Sequence, residues 1–209
     1  MIIKNFVHLL IIDMGRRFMI KNSSFDKEYF IVLKPEGDVL KLARFLQKRL
    51  ASEFQLYPNN VYPEIHITLD RIYKKKLKDA VKIIKSTLVK YSEIDIFVKN
   101  FDCYSFKDNN FLVLNVEENK KLVNFSRELH EKLEKAHIST IDNYKEWRFH
   151  ISLASTVFAE KQKKFNEDFK HLCFRFDGVN TPRSCRANII EIWKPTLDED
   201  NKLLERFKL

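Results

Sequence analysis

The sequence predicts an α+β fold: one bilobal, internally duplicated unit whose antiparallel sheets, with flanking helices, surround a central cleft. Three observations predict it. Two strings, His66-Ile67-Thr68-Leu69 and His150-Ile151-Ser152-Leu153, repeat one order of histidine, apolar, hydroxyl and apolar residue in β-type context. Segments with helical apolar spacing stand beside each string, and the β-type runs are joined partly by hairpins. Only three glycines occur in 209 residues and no Pro/Gly/Ser-rich linker divides the chain, so two lobes of one compact unit are expected.

The elements follow in order. Phe6 to Ile12 is largely apolar, but Asp13, Arg16 and Arg17 interrupt it, and it is too short to span a bilayer. Residues 1–27 are therefore expected as an N-terminal arm or extra strand, with Asn22-Ser23-Ser24 as a break. Tyr29 to Lys34 is a β-type run closed by Pro35-Glu36-Gly37. Asp38 is placed to cap a helix through about Ser52, with Val39, Leu42, Phe45, Leu46 and Leu50 on one apolar face. Tyr57-Pro58-Asn59-Asn60 breaks the chain before the first histidine strand, about Glu64 to Arg71. A helix from about Lys76 to Tyr91 buries Leu77, Ala80, Val81, Ile84 and Leu88. Strands at about Ile94 to Phe106 and Phe111 to Glu117 flank a polar turn at residues 107–110, and a helix follows from about Lys120 to Ala136. Trp147 to Ser155 carries the second histidine strand. Glu160 to His171 reads as a helix, and Cys173 to Phe176 and Ala187 to Trp193 read as closing strands. The two-lobed domain thus spans 28–197, its lobes joined near 92–110, and 198–209 reads as a C-terminal tail.

Lys+Arg exceed Asp+Glu by 38 to 29, and the resulting net charge of +9 favours a polyanionic partner. Three cysteines, an odd number without zinc or redox spacing, are expected as reduced thiols in a cytoplasmic protein.

On an extended strand the histidine and the hydroxyl two residues later point to one face while the apolar residues enter the core. Each string therefore delivers an imidazole beside a hydroxyl. Two such strands at one cleft supply His66 and His150 as general base and acid, and Thr68 and Ser152 to hold phosphate oxygens. An imidazole titrates near pH 6.5, so one can accept a proton while the other donates. This suits phosphodiester chemistry without metal. A third string, His137-Ile138-Ser139-Thr140, lacks the last apolar residue and is read as a decoy near a helix end.

With both strings in place, the chain resembles the two-histidine (2H) phosphoesterase superfamily, which includes bacterial 2′-5′ RNA ligase-like cyclic phosphodiesterases and eukaryotic RNA 3′-end-trimming exonucleases. The resemblance covers about Tyr29 to Pro195. It implies a bilobal fold with pseudo-twofold symmetry, one motif per lobe lining the cleft, and no cofactor or metal. Phe149 stands where ligase-like members often have proline, and Tyr144, six residues before His150, matches the spacing of a base-stacking tyrosine in the trimming exonucleases. Arg71, five residues after His66, resembles a basic residue of some ligase-like members.

Arg71 and Arg148 lie near the motifs and are candidates to neutralise phosphate. Trp147 is a candidate stacking surface or a core residue, and Lys74, in the run Lys74-Lys75-Lys76, a candidate guide for an RNA backbone. Strand alternation puts Asp70 on the histidine face, too far along for a metal site. The expected activity is metal-independent phosphodiesterase action on an RNA 2′,3′-cyclic phosphate or a 2′-5′ linkage. The alternatives are a 3′-to-5′ RNA exonuclease and a non-catalytic RNA-binding protein. RNA or an oligonucleotide is the expected partner, with no membrane contact and a monomeric chain.

Overall fold

A computed structural model describes residues 25–209 apart from 58–60, 107–108, 158, 160–161 and 177–178. The expected arm at 1–27 therefore lies almost wholly outside the described residues. Strands β1 (Glu28–Leu33), β2 (Ile67–Tyr73), β3 (Ile94–Phe106), β4 (Asn109–Val116), β5 (His150–Ser155), β6 (Asn180–Ala187), β7 (Ile189–Trp193) and β8 (Leu203–Lys208) form one antiparallel sheet. Its order is β6-β3-β4-β5-β2-β1-β7-β8, so the two histidine strands are adjacent at its centre. The helices are α1 (Gly37–Phe54), α2 (Leu77–Leu88), α3 (Lys120–Lys135), α4 (Gln162–Phe176) and α5 (Glu199–Lys202). Among the described residues no helix is long and apolar enough to cross a membrane.

Strand alternation builds the core on one face. Ile31, Leu33, Ile67, Leu69, Leu112, Leu114, Ile151, Leu153, Ile190 and Ile192 join one buried cluster with Val39 and Leu50 of α1, Ile84 of α2, Phe125 and Leu129 of α3 and Phe165 of α4. The histidines and hydroxyls stand on the opposite face. Helix α3 opens on Asn119, whose side chain accepts from the amides of Lys121 and Leu122 at 3.1 and 3.0 Å. It closes at His137, in the left-handed region at φ 54°, so the third histidine string does sit at a helix end.

The halves are interwoven. The first half reads β1-α1-β2-α2-β3 and the second β4-α3-β5-α4, then β6 and β7. Strand β3 leaves the first half to pair with β4, and β7 leaves the second half to pair with β1. Helix α1 packs on β5 and β6, and α3 packs on β2. The duplicated lobes are thus two four-stranded sides of one sheet, one taking β3 from the first half and the other β7 and β8 from the second.

Each histidine strand carries one extra residue. Val32 pairs with Thr68 and Ile31 with Asp70, leaving Leu69 extra on β2; Val113 pairs with Ser152 and Leu112 with Ala154, leaving Leu153 extra on β5. The bulge resets the alternation. Asp70, expected on the histidine face, turns instead to the helix side, fully buried, while Arg71 takes the phase of His66 and Thr68. There the Asp70 carboxylate accepts from the Ser139 hydroxyl at 2.7 Å and the Arg71 amide at 2.6 Å, and lies 2.8 Å from His130 Nδ1.

Other expectations are corrected. Residues 198–209 are no tail: they form α5 and the edge strand β8, because Leu204 and Phe207 pack on the core and β8 pairs along β7. Cys173 to Phe176 is the last turn of α4, and the closing strand on that side is β6, whose exposed, polar sequence with Pro182 gives no alternation to read. Asp38 sits in the first turn of α1 rather than capping it, and pairs with Lys41 at 3.4 Å. The apolar face of α1 runs through Val39, Ala43, Gln47, Leu50 and Phe54, leaving Phe45 62% exposed. Cys103 and Cys173, expected as free thiols, form a disulfide because β3 and α4 bring their Cα atoms to 5.8 Å; Cys185 is free.

The buried carboxylate gives a direct test. Asp70→Ala removes the partner of three donors, among them the buried His130 and the half-buried Ser139, and should cost about 3 kcal/mol in urea unfolding. A loss below about 1 kcal/mol would mean that water or a rearrangement satisfies His130 and Ser139.

Candidate active site

The two histidine strands meet through one antiparallel residue pair, Ile67 with Ile151, each immediately after a motif histidine. Counting outward from it places Ser152 across from His66 and His150 across from Thr68. Four groups thus come together from residues far apart in sequence: two imidazoles at opposite corners, with a hydroxyl facing each. Val32 and Val113, paired with Thr68 and Ser152, are buried outside the main core and flank the hydroxyls on either side.

Both imidazoles are held alike. His66 Nδ1 lies 2.7 Å from the carbonyl of Glu64, and His150 Nδ1 lies 2.9 Å from the carbonyl of Arg148. A carbonyl only accepts, so each Nδ1 carries a proton and donates it, which leaves each Nε2 as the reactive atom. Each ring also meets an aromatic from the third strand of its lobe: Trp193 lies edge-on to His66 at 5.0 Å, and Tyr104 lies edge-on to His150 at 5.3 Å. The Tyr104 hydroxyl is 2.8 Å from His150 Nε2. Burial, and then Asp102, push the Tyr104 phenol upward, so it stays a donor to the neutral imidazole.

These aromatics belong to a second repeat. Asp102 pairs across from Val113 and Glu191 across from Val32; two residues on stand Tyr104 and Trp193. The strings Asp102-Cys103-Tyr104 and Glu191-Ile192-Trp193 therefore occupy matching places, and sequence reasoning missed both. Their shared signal is only an acid, an apolar residue or cysteine, and an aromatic, which is too common to stand out.

The charges around the two histidines differ. Beside His66, the ammonium groups of Lys34 and Lys202 both pair with the Glu64 carboxylate and lie 5.0 and 4.8 Å from the centre of the Trp193 ring. Glu191 accepts from Trp193 Nε1 and from Arg206 Nε, both at 2.6 Å. Burial, then the charges of His150, Lys34 and Lys202, pull the His66 imidazole down to about 3. Burial also lowers His150, but the Arg148 carbonyl and Asp102 oppose it. Both imidazoles are thus shifted toward the neutral form, His66 by burial that the neighbouring cations reinforce, His150 by burial that the Arg148 carbonyl and Asp102 partly offset.

The remaining candidates are placed as follows. Arg71 bonds Glu28 at 3.2 Å and lies 5.7 Å from the Trp147 ring, its charge already paired. Trp147 donates its Nε1 hydrogen to the Thr68 carbonyl at 3.2 Å and so ties the approach of β5 to the first motif strand. Arg148 is exposed, 3.9 Å from Glu118. Lys74 lies over the Tyr29 ring at 5.6 Å, apart from the four central groups. Tyr144 stacks flat on His130 at 3.8 Å, so one face of its ring is taken.

The depressed His66 value has a consequence for stability. Between pH 6.5 and about 3 the unfolded chain binds a proton at this position that the folded chain resists, so stability falls with acidification through that window. The wild type should lose about 2 kcal/mol more than His66→Gln between pH 6.5 and pH 5, read from urea unfolding. Equal losses would show that His66 is not held neutral.

No family model matches the chain, and no curated protein matches it in sequence. Solved structures do. TT0787 of Thermus thermophilus aligns over 87% of this chain and 97% of its own, with a TM-score of 0.62 and 13% identity. Escherichia coli LigT in its apo form aligns over 88% and 97%, with a TM-score of 0.53 and 10% identity. Usb1 of Kluyveromyces marxianus aligns over 88% and 98%, with a TM-score of 0.53 and 8% identity. At these identities the likeness is one of architecture, and the chain has the LigT-like α+β fold.

Proposed function

We propose that the protein is a metal-independent phosphodiesterase of the two-histidine kind, acting on RNA with a 2′,3′-cyclic phosphate or a 2′-5′ linkage. The observation that carries this reading is the matched pair of Nδ1-to-carbonyl hydrogen bonds, which leave two Nε2 atoms and two hydroxyls at one seam. A fold shared with LigT, which is known in complex with 3′-AMP, accords with a nucleotide substrate.

The unequal downward shifts favour distinct roles. At a 2′-5′ linkage, neutral His66 takes the proton of the neighbouring 3′-hydroxyl, whose oxygen attacks phosphorus. The bond from phosphorus to the 5′-oxygen of the next nucleotide breaks, and protonated His150 supplies that oxygen with a proton. The product end is a 2′,3′-cyclic phosphate. Thr68 and Ser152, facing the histidines across the seam, hold the nonbridging oxygens as charge develops on them. Opening of the cyclic phosphate by water runs with the roles exchanged, His150 as base and His66 as acid. The low His66 value makes that step the slower one near neutral pH. Tyr104 holds His150 Nε2 in the resting site and gives up that contact when Nε2 passes its proton to the leaving oxygen.

The trimming-exonuclease reading would use the same pair with a 2′-hydroxyl as attacker. Its platform, Tyr144, has only the ring face away from His130 left for a base. Stepwise loss of 3′ nucleotides from a 3′-hydroxyl RNA would favour that reading.

His66→Ala and His150→Ala should each lower kcat on a 2′-5′-linked dinucleotide by about 10²- to 10⁴-fold, with wild-type activity unchanged by EDTA. Activity that survives both substitutions, or that EDTA abolishes, would refute the assignment.

The pH profile tests the roles. The base is already neutral far below neutrality, while the acid loses its proton at a value below the ordinary 6.5. The kcat/KM for cleavage should therefore fall about tenfold per pH unit above pH 6.5 and show no acid limb down to about pH 4. A profile that climbs toward pH 8 would reverse the two roles.

A further inference from the structure

The two lobes repeat one frame, but cations occupy only one side of it. The third strands match, Glu191 and Trp193 against Asp102 and Tyr104. The position beside each motif histidine on the next strand does not: continuing the register places Lys34 by His66, whereas Asn115 pairs with His150. Asn115 is turned to Asp102 at 3.3 Å. Lys34 is joined by Lys202 from α5, and both ammonium groups share the single carboxylate of Glu64 over the Trp193 ring. Of the other carboxylates that act on the pair, Glu191 is 4.0 Å from Lys34 and already holds Arg206 and Trp193 Nε1, and Glu199 acts on Lys202.

Two ammonium groups in direct contact with one carboxylate give that contact one positive charge in excess. Burial, opposed by Glu191, lowers Lys34 to about 8, and burial, opposed by Glu199 and Glu191, lowers Lys202. Neither side chain is sealed, with 15% of Lys34 and 10% of Lys202 exposed. Both act electrostatically on His66, while Asp102 is the charge that acts on His150. The pair therefore lies beyond His66, away from the midpoint between the histidines where the reacting phosphate must sit.

We propose that Lys34 and Lys202 form a subsite for a second phosphate of the substrate, the one 5′ to the nucleotide whose hydroxyl is deprotonated by His66. This rests on the phosphodiesterase reading above and narrows the substrate to an oligonucleotide or a 5′-phosphorylated dinucleotide, in preference to a dinucleoside monophosphate. The anion completes the charge balance of the Lys34–Glu64–Lys202 cluster through charge-assisted hydrogen bonds. Trp193 is 3% exposed, so its ring supports the ammonium groups and offers no face to a base.

The test compares a 2′-5′-linked dinucleoside monophosphate with its 5′-phosphorylated form in the wild type, Lys34→Gln, Lys202→Gln and the charge-retaining Lys34→Arg and Lys202→Arg, each checked for its melting temperature. The 5′-phosphate should raise wild-type kcat/KM by about tenfold or more, mainly through KM; the gain should vanish in the glutamine variants and return in the arginine variants. A wild-type gain under about twofold, or one that survives Lys34→Gln and Lys202→Gln combined, overturns the subsite. If the wild type cleaves neither dinucleotide, the phosphodiesterase reading fails, and the subsite is judged by binding alone. In a Trp147→Phe background, which leaves Trp193 the sole tryptophan, inorganic phosphate should change the fluorescence saturably, and Lys34→Gln with Lys202→Gln should abolish the change. No change, or a change that persists in the double variant, overturns it.

Discussion

The pairing of Ile67 with Ile151 is the contact on which the site depends. Every other strand neighbour is joined by several residue pairs, whereas the histidine strands touch through this one and diverge on either side. That single contact is placed between two identical side chains whose burial anchors both strands to the helices. It brings the four polar groups within reach of one phosphate and leaves the sheet open around them. A longer ladder would zip the strands shut along the cleft, and no ladder would let the lobes drift.

The bulges at Leu69 and Leu153 solve a second problem of the same strands. A strand that keeps strict alternation would carry Asp70 into the cleft beside two imidazoles and hold both near their charged form. By resetting the phase, the bulge sends that carboxylate behind the sheet, where it binds His130 and Ser139, and presents a cation, Arg71, on the reactive side. On β2 one inserted residue thus keeps a carboxylate out of the cleft, and the asymmetry between lobes is added by Lys34, Lys202 and Asp102.

The placement of the central candidates was legible because it is local. Histidine and hydroxyl at a spacing of two need only an extended backbone to share a face, so His66, Thr68, His150 and Ser152 could be read directly, as could the helices with regular apolar spacing. What escaped depends on register. Tyr104 and Trp193 reach the histidines only through strands that pair across halves, and β6 offers no apolar alternation to reveal it. The Cys103–Cys173 bridge joins elements whose proximity no spacing encodes. Asp70 misled because a bulge has no signature in a string such as His66-Ile67-Thr68-Leu69-Asp70-Arg71.

The exchange of β3 and β7 bears on what a single half could do. A lone β1-α1-β2-α2-β3 unit would place its third strand where its own sheet has no partner for it, leaving an unpaired edge beside β1 and another beside β2. Two copies related by a twofold axis would fill the first vacancy by trading third strands and the second by pairing their β2 strands, setting one histidine on either side of the axis. The architecture is that of a strand-swapped homodimer written into one polypeptide. Within one chain the two copies need not be identical, and here a symmetric pair of imidazoles sits in unequal surroundings.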